Sequence, residues 1–515
     1  MSTLHRHYDP CRGAVPAPGA QEGRGDPAPT TNRRSPVPAT VSHEEPQLDG
    51  YRDLAPAKVS FSKWNELFER IPLDAIAGFR YYRDCPADWS TYLFPPCTYS
   101  AYGARHLKRL QFDNGLAAWR LWSFLLSESE RLFRARQVGK SVVATSGDLG
   151  VLPVLVSGFP NAVPFYPDCH WATPFLGESS VLFDAAQRYG LGENACFSRA
   201  SLGAAFKGAY FPEPALYLCA SGATCDDFHA VMDLIQWSGR RVHWFGIPHC
   251  RDAGVHAASN GHPAHDAVNR RYLVQQLERA AQVLSQALQQ PWSPTQLQDA
   301  IARVNRLRAT VDRLRHLTFS APRAPLPAVE AYYAEYALLH YYGDLEECQR
   351  VLDHLLATVE QRVRAQQGVL QEDALKVVWV SPTPDPRVLD FWESLGGRVV
   401  GTEYLNRQSL LPLRTDVPPL EALAEALLHG SLFGTTRRRT GTVLEQCYRY
   451  GAQGVIISST FGASHCAAET GLLAYLVKRA GLPVLHFEVP FTGAQLSGQV
   501  RTRLEAFAEL LRGRS

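Results

Sequence analysis

Apolar residues recur three and four apart through YGARHLKRLQFDNGLAAWRLWSFLLSESERLFRARQ. That is the spacing of helices with one buried face, and the run ends in basic residues that suit a helix C-terminus. The helical texture holds from Phe61 to Arg136 and changes at Lys140. SVVATSG is a short β-branched run closed by glycine, and ALYLCASG and RVHWFGIP share the form. Such continuous apolar runs predict buried strands of a parallel sheet, with helices such as Phe228–Trp237 between them. From residue 265 to about 365 the helical period returns. WSPTQLQDAIARVNRLRATVDRL predicts a helix capped by Ser293 with Pro294 at its first position. AYYAEYALLHYYGDLEECQRVLDHLLATVEQRV predicts a second long amphipathic region, dense in aromatics.

The strand–helix rhythm then resumes. KVVWVSP, RVVGTEYL, GVIISST and PVLHFEVP are strand candidates. Helices are expected near Arg387–Leu395, Leu420–Leu428, Thr442–Arg449 and Ala467–Arg479, and GQVRTRLEAFAELL closes the chain as one more. The fold class is therefore α/β: two Rossmann- or flavodoxin-like parallel-sheet domains, a helical block between them and a helical N-terminal region. The boundaries read as a disordered tail over 1–55, a helical region over 56–136, a first α/β domain over 137–264, a helical domain over 265–365 and a second α/β domain over 366–515. The tail, rich in Pro, Gly and Arg, carries no apolar period.

Composition narrows the function. The 515 residues are 45% hydrophobic and 20% charged, with a formal net charge of +2. That balance gives no field for nucleic acid or an anionic membrane. No apolar run approaches the roughly 18 residues of a membrane helix, and no secretory signal opens the chain. The 11 cysteines form no disulfide framework, which predicts a reducing, cytoplasmic setting.

Ligands of open parallel sheets collect beyond the carboxyl ends of the strands. Cys225 follows the strand ALYLCAS, and Cys466 follows GVIISST. Each opens a helix, where the N-terminal dipole favours a thiolate. Cys196, in ENACFSRASLG, precedes the strand that leads to Cys225. Thiolates hold iron–sulfur clusters, although buried small residues at tight turns explain the same positions.

CFSRASLG, SGATCDDFHAVMDLI and ISSTFGASHCAAETGLLAYLVKRAGLPVLHFEVPFTG resemble, in order, the three cysteine segments of the benzoyl-CoA reductase / 2-hydroxyacyl-CoA dehydratase family. KVVWVSPTPDPRVLDFWESLGGRVVGTEYL resembles the family's second α/β domain, and GQVRTRLEAFAELL its arginine-bearing last helix. The resemblance spans about residues 136 to 515. AYYAEYALLHYYGDLEECQRVL is slightly more similar to the larger catalytic subunit of the benzoyl-CoA reductases. It implies a [4Fe–4S] cluster on Cys196, Cys225 and Cys466, with an exchangeable ligand on the fourth iron. It implies a related second subunit, or a homodimer, and an ATP-hydrolysing iron–sulfur activator that delivers a low-potential electron. The acyl-CoA substrate is then reduced to a ketyl radical, leading to dehydration of a 2-hydroxyacyl-CoA or to reduction of an aromatic ring such as that of benzoyl-CoA.

The chain departs from the family in two places. Where the family often carries a glutamate after its first strand, this chain reads SGDLGVLPVLVSGFP, with Val151 at that place and Asp148 nearby. Asp148 is a candidate proton carrier and also a candidate turn cap. The Gly-Lys-Lys that often follows Cys-Asp in the dehydratases is replaced by Asp227, Phe228 and His229. His465, beside Cys466, is a candidate donor to substrate or cluster. Ser146–Asp148 and Ser464–His465 are expected to line the substrate pocket.

Other signals are weaker. VGKS lacks the upstream glycine of a phosphate loop, with Arg134 in its place. His249, Cys250 and His256 lack a second cysteine pair for zinc. Arg437–Arg439 suit either CoA phosphates or a solvated helix start. Two rivals to a catalytic subunit stand: a non-catalytic cluster-carrying or electron-transfer subunit, and a metal-free CoA-binding protein.

Overall fold

A stack of tryptophans organises the first elements of the chain in the computed structural model. It describes residues 55–70, 105–148, 150–167, 180–192, 195–222, 224–249, 263–340, 342–430, 434–460, 462–463, 468–489 and 496–514. The proline-rich segment 1–54 lies outside them. Strand β1 (Lys58–Ser60) leads into α1 (Phe61–Glu69), where the Ser60 hydroxyl accepts from the Lys63 N–H at 3.3 Å as an N-cap. Trp64 stacks on Phe112 and Trp119, with ring centroids 4.3 and 5.3 Å apart.

The helical period through residues 102–137 does not give one helix. Residues Arg105–Arg109 form a 3-10 turn, β2 (Gln111–Asp113) pairs antiparallel with β1, and the chain turns helical only at α2 (Leu116–Leu126) and α3 (Glu128–Gln137). Side chains pull this stretch off the helix. Asn114 bonds the Ala57 N–H and the Ala55 carbonyl, Asp113 accepts from the Gly115 N–H at 2.7 Å, and Arg362 grips Asp113 at 2.5 and 2.9 Å. Asx side chains that bond nearby backbone compete with helix in this way.

The first α/β unit follows: β3 (Ser141–Ser146), α4 (Leu152–Val156), β4 (Ala162–Phe165), α5 (Ser180–Gln187), α6 (Arg199–Lys207), β5 (Leu216–Gly222), α7 (Asp226–Trp237) and β6 (Val242–Ile247). Its four strands run parallel in the order β4-β3-β5-β6. The helical block is α8 (Pro263–Leu288), α9 (Pro294–Ser320), α10 (Ala328–His340) and α11 (Leu345–Arg364). Pro294 sits at the first position of α9, but the Ser293 hydroxyl makes no capping bond.

The aromatic-rich region is not one amphipathic helix. Every residue of α10 is buried, and Asp344 caps a new helix by accepting from Glu347. The helix α10 lies against α2 and α9, so no face is left for water. Its acids are correspondingly constrained. Burial, then the charge of Asp113, pushes Glu330 up to about 8, and its carboxyl accepts from the Asp113 N–H and Trp122 Nε1. Glu335 meets Arg315 at 3.0 Å and accepts from Thr402 at 2.8 Å.

The second unit comprises β7 (Leu375–Val380), α12 (Pro386–Ser394), β8 (Gly397–Glu403), a 3-10 turn (Leu405–Leu410), α13 (Pro419–His429), α14 (Thr436–Tyr450), β9 (Gly454–Thr460), α15 (Thr470–Arg479), β10 (Val484–Val489) and α16 (Gly498–Arg512). Its parallel strands lie in the order β10-β9-β7-β8. Both sheets thus place their own strands second–first–third–fourth, the same topology used twice. Helix α14 begins six residues earlier than its periodicity suggests, because Thr435 caps it by accepting from Arg438. The described residues contain no helix long and apolar enough to cross a membrane.

Candidate functional site

Each sheet has its switch point where the chain crosses from the second strand back over the first to reach the third. In the first unit that is between β3 and β5, and in the second between β7 and β9. Crevices at the carboxyl ends of such strands are where open α/β sheets bind ligands.

Cys225 stands on the first switch point. Gly222 ends β5 at φ +90°, where an added Cβ would lie 2.3 Å from the Ile247 carbonyl oxygen, so glycine is required there. Cys225 then adopts extended backbone as the N-terminal residue of α7 and is 8% exposed. Its Sγ lies 3.7 Å from Asp227 Oδ2, and Thr224 Oγ1 lies 2.8 Å from His229 Nε2. The Cys225 thiol therefore donates to the Asp227 carboxylate. A metal that displaces the proton gains a thiolate already aimed from a helix N-terminus.

Cys196 lies in the turn before α6 and is 3% exposed. Its carbonyl accepts from the Arg199 N–H at 3.0 Å. The Arg199 guanidinium is committed elsewhere, donating to the Ala195 carbonyl and lying 4.5 Å over the Phe183 ring. Helices α6 and α7 pack on each other, so the turns bearing Cys196 and Cys225 open adjacent helices. Ser464, His465 and Cys466 lie outside the described residues. The segment that leads to them is described. Ala463 is buried in the same hydrophobic cluster as Cys196 and Phe197, with Leu405 of the second unit packed against it. Cys466 follows the third strand of its sheet as Cys225 follows the third strand of its own.

The two candidate ligands among the described residues are thiols, the donor type that iron–sulfur clusters take. Cys196 and Cys225 are buried and outside any disulfide, and each sits in the turn that opens a helix. Among the described residues no three His, Cys, Asp or Glu side chains are gathered for a metal. Cys219, Cys348 and Cys447 are also buried and outside any disulfide. Burial raises the thiol of Cys348 well above its ordinary value and pushes Cys447 up to about 12, as expected for core residues.

A family model described as 2-hydroxyglutaryl-CoA dehydratase, D-component, matches residues 159–511. The chain belongs to that family. It is a component of a 2-hydroxyacyl-CoA dehydratase-type system, with lyase-like chemistry. No curated protein matches the chain.

In this dehydratase-family chain Asp148 closes the loop at the end of β3. It is fully buried, and its Oδ2 accepts from the backbone N–H groups of Gly150, Val151 and Leu152 at 3.3, 2.7 and 2.5 Å. Tyr166 Oη is 3.3 Å from Oδ1. The carboxyl caps the short helix α4 and shapes the loop at the end of β3. Burial pushes it up to about 6 from an ordinary 3.8, against the lowering effect of the three amides. A folded pKa above the unfolded one means the folded chain gains stability as pH falls from about 6 toward 4. The stability difference between wild type and Asp148→Asn should therefore grow in favour of wild type across that window, by up to about 3 kcal/mol. Urea midpoints of both proteins at pH 4.5 and 7 measure it, and an unchanged difference would refute the assignment.

Two arginines of the triplet are likewise built in, and Arg437 is exposed. Arg438 donates to the carbonyls of Leu428 and His429, and Arg439 is buried against Glu403. Sequence periodicity missed this because the polar residues face inward.

Proposed function

We propose that this chain is the iron–sulfur subunit of a low-potential acyl-CoA reductase or dehydratase, holding a [4Fe–4S] cluster through Cys196, Cys225 and Cys466. One observation carries the reading: Cys225 and Cys466 follow the third strands of two identically ordered sheets. The shared burial of Cys196 and Ala463 in one cluster supports it. When bound, the cluster supplies single-electron chemistry at an iron with a replaceable ligand. The chain's own residues do the rest. Cys196 and Cys225 give up protons to bind. The buried faces of α6 and α7 keep water away. Asp148 positions the loop at the end of β3, and His465, beside the third ligand, is the nearest candidate to deliver a proton to substrate. A related second subunit or a second copy of this chain, together with an ATP-hydrolysing iron–sulfur activator, completes the system, which works in the cytoplasm on an acyl-CoA such as benzoyl-CoA or a 2-hydroxyacyl-CoA.

A second reading, a cluster-carrying subunit that performs no proton transfer, draws on the full engagement of Asp148 by backbone amides and on Val151 in place of the family's glutamate. Turnover with partner and activator present would exclude it.

The test is iron and acid-labile sulfide content, with an electron paramagnetic resonance spectrum, on anaerobically purified protein. Wild type should hold about four irons per chain, and Cys225→Ala should lose most of them while remaining folded. Iron-free wild type after reconstitution would sink the proposal.

A further inference from the structure

Ser198 closes the turn that carries Cys196. It is 1% exposed, and among the described residues its hydroxyl makes no hydrogen bond. It stands at the N-terminal boundary of α6, where serine ordinarily caps the helix. Here its backbone is already helical, at φ −52° and ψ −21°, and the side chain makes no capping bond. Its carbonyl is in use, accepting from the Ser201 N–H at 3.0 Å and from the Ser201 hydroxyl at 2.5 Å. The hydroxyl alone is idle. A buried hydroxyl without a partner costs free energy. Packing by itself calls for alanine, which α6 carries at the buried positions Ala200, Ala204 and Ala205.

Asp227 stands beside the other ligand. Its Oδ2 accepts from Cys225 Sγ at 3.7 Å, and the residue is half-buried on the first turn of α7. Asp226 on the same turn is given to water, its side chain 95% exposed. The helix dipole accounts for acids at both positions. It does not account for the contact with sulfur.

Helices α6 and α7 pack on each other. A group held by Cys196 and Cys225 therefore meets an idle hydroxyl at one ligand and a carboxylate at the other. An iron–sulfur cluster takes up one negative charge when it is reduced. A hydrogen bond to its sulfur favours the reduced form, and a neighbouring carboxylate disfavours it. Solvent screening is weak for groups as buried as these.

We propose that Ser198 and Asp227 set the reduction potential of the bound cluster in opposite senses: the Ser198 hydroxyl donates to a cluster sulfur and raises the potential, and the Asp227 carboxylate lowers it. The inference rests on the cluster reading above and adds two residues outside its ligand set. The electron from the activator is then accepted at a potential tuned by this chain's own polar groups.

The test is a potentiometric titration followed by electron paramagnetic resonance, at one fixed pH, on the full-length chain reconstituted anaerobically. Ser198→Ala should shift the midpoint down and Asp227→Asn should shift it up. Each shift should be about tenfold in the ratio of reduced to oxidised cluster, or about 59 mV for a one-electron couple. Iron and sulfide per chain should stay at the wild-type level, and the double variant should return close to the wild-type midpoint. The iron-free Ser198→Ala chain should melt no lower than iron-free wild type, since it loses only an idle group. Should Ser198→Ala shed its iron, the sign of the Asp227→Asn shift decides: upward supports the inference, and no shift overturns it. Unchanged midpoints at full iron content, or shifts of both variants in one direction, would overturn the inference and leave the cluster reading standing. Wild type that takes up no iron would bring down both together.

Discussion

Arg439→Ala is expected to destabilise the chain by about 3–5 kcal/mol, because it strands a buried carboxylate. The side chains of Arg439 and Glu403 are 3% and 0% exposed, and the guanidinium meets the carboxylate through two bonds of 2.8 Å. Glu403 ends β8 and α14 carries Arg439, so the pair fixes the point where the sheet delivers the 3-10 turn bearing Asn406 and Arg407. Removing one partner leaves the other charged in a dry interior. Urea denaturation followed by circular dichroism measures the loss. The double variant Arg439→Met with Glu403→Met should recover most of it, since removing both charges also removes the desolvation cost. A single variant within about 1 kcal/mol of wild type would show that the pair behaves as an exposed one.

Gly150→Ala should cost about 3 kcal/mol or more, by backbone strain together with collision. Gly150 adopts φ +140°, a region that side chains rarely enter. An added Cβ would lie 2.8 Å from Ser409 Cα, which is backbone and cannot swing aside. Arg308 locks the contact from a third element, donating to the Gly150 carbonyl at 2.7 Å and to the Leu411 carbonyl. The loop after β3 and the 3-10 turn after β8 are thus pressed together, and with them the carboxyl ends of the two sheets. The loss should appear in thermal melts and, if the proposed cluster site is correct, as reduced iron retention after reconstitution. A variant that melts with wild type would mean the seam yields easily.

The α/β class was legible because its signal is local. Strands buried on both faces must be apolar throughout, so SVVATS, LYLCASG, LKVVWV and GVIISST stand out from the helices around them. Helices with one wet face announce themselves by period, as α14 and α16 do. The period failed where tertiary contacts outbid it. Asp113 and Asn114 turn an apparent helix into a strand and a cap, because Arg362 and the segment around Ala57 claim their side chains. The region of α10 read as amphipathic because its glutamates look like surface residues. They are buried, and only their partners on other elements, Trp122, Thr402 and Arg315, make that tolerable.

The sequence by itself determined the strand–helix alternation, the family resemblance in the cysteine segments and the positions of Cys196 and Cys225 at turns. Each depends on neighbours along the chain: hydrophobic period, glycine at a turn, a thiol before a helix. Only the tertiary structure decided that the two sheets share one strand order and that Asp148 is held by three backbone amides. The same is true of Arg439, buried rather than solvated. These facts depend on what arrives from distant segments. A carboxylate or an amide reads the same in sequence whether its neighbours across the fold satisfy it or leave it for a ligand.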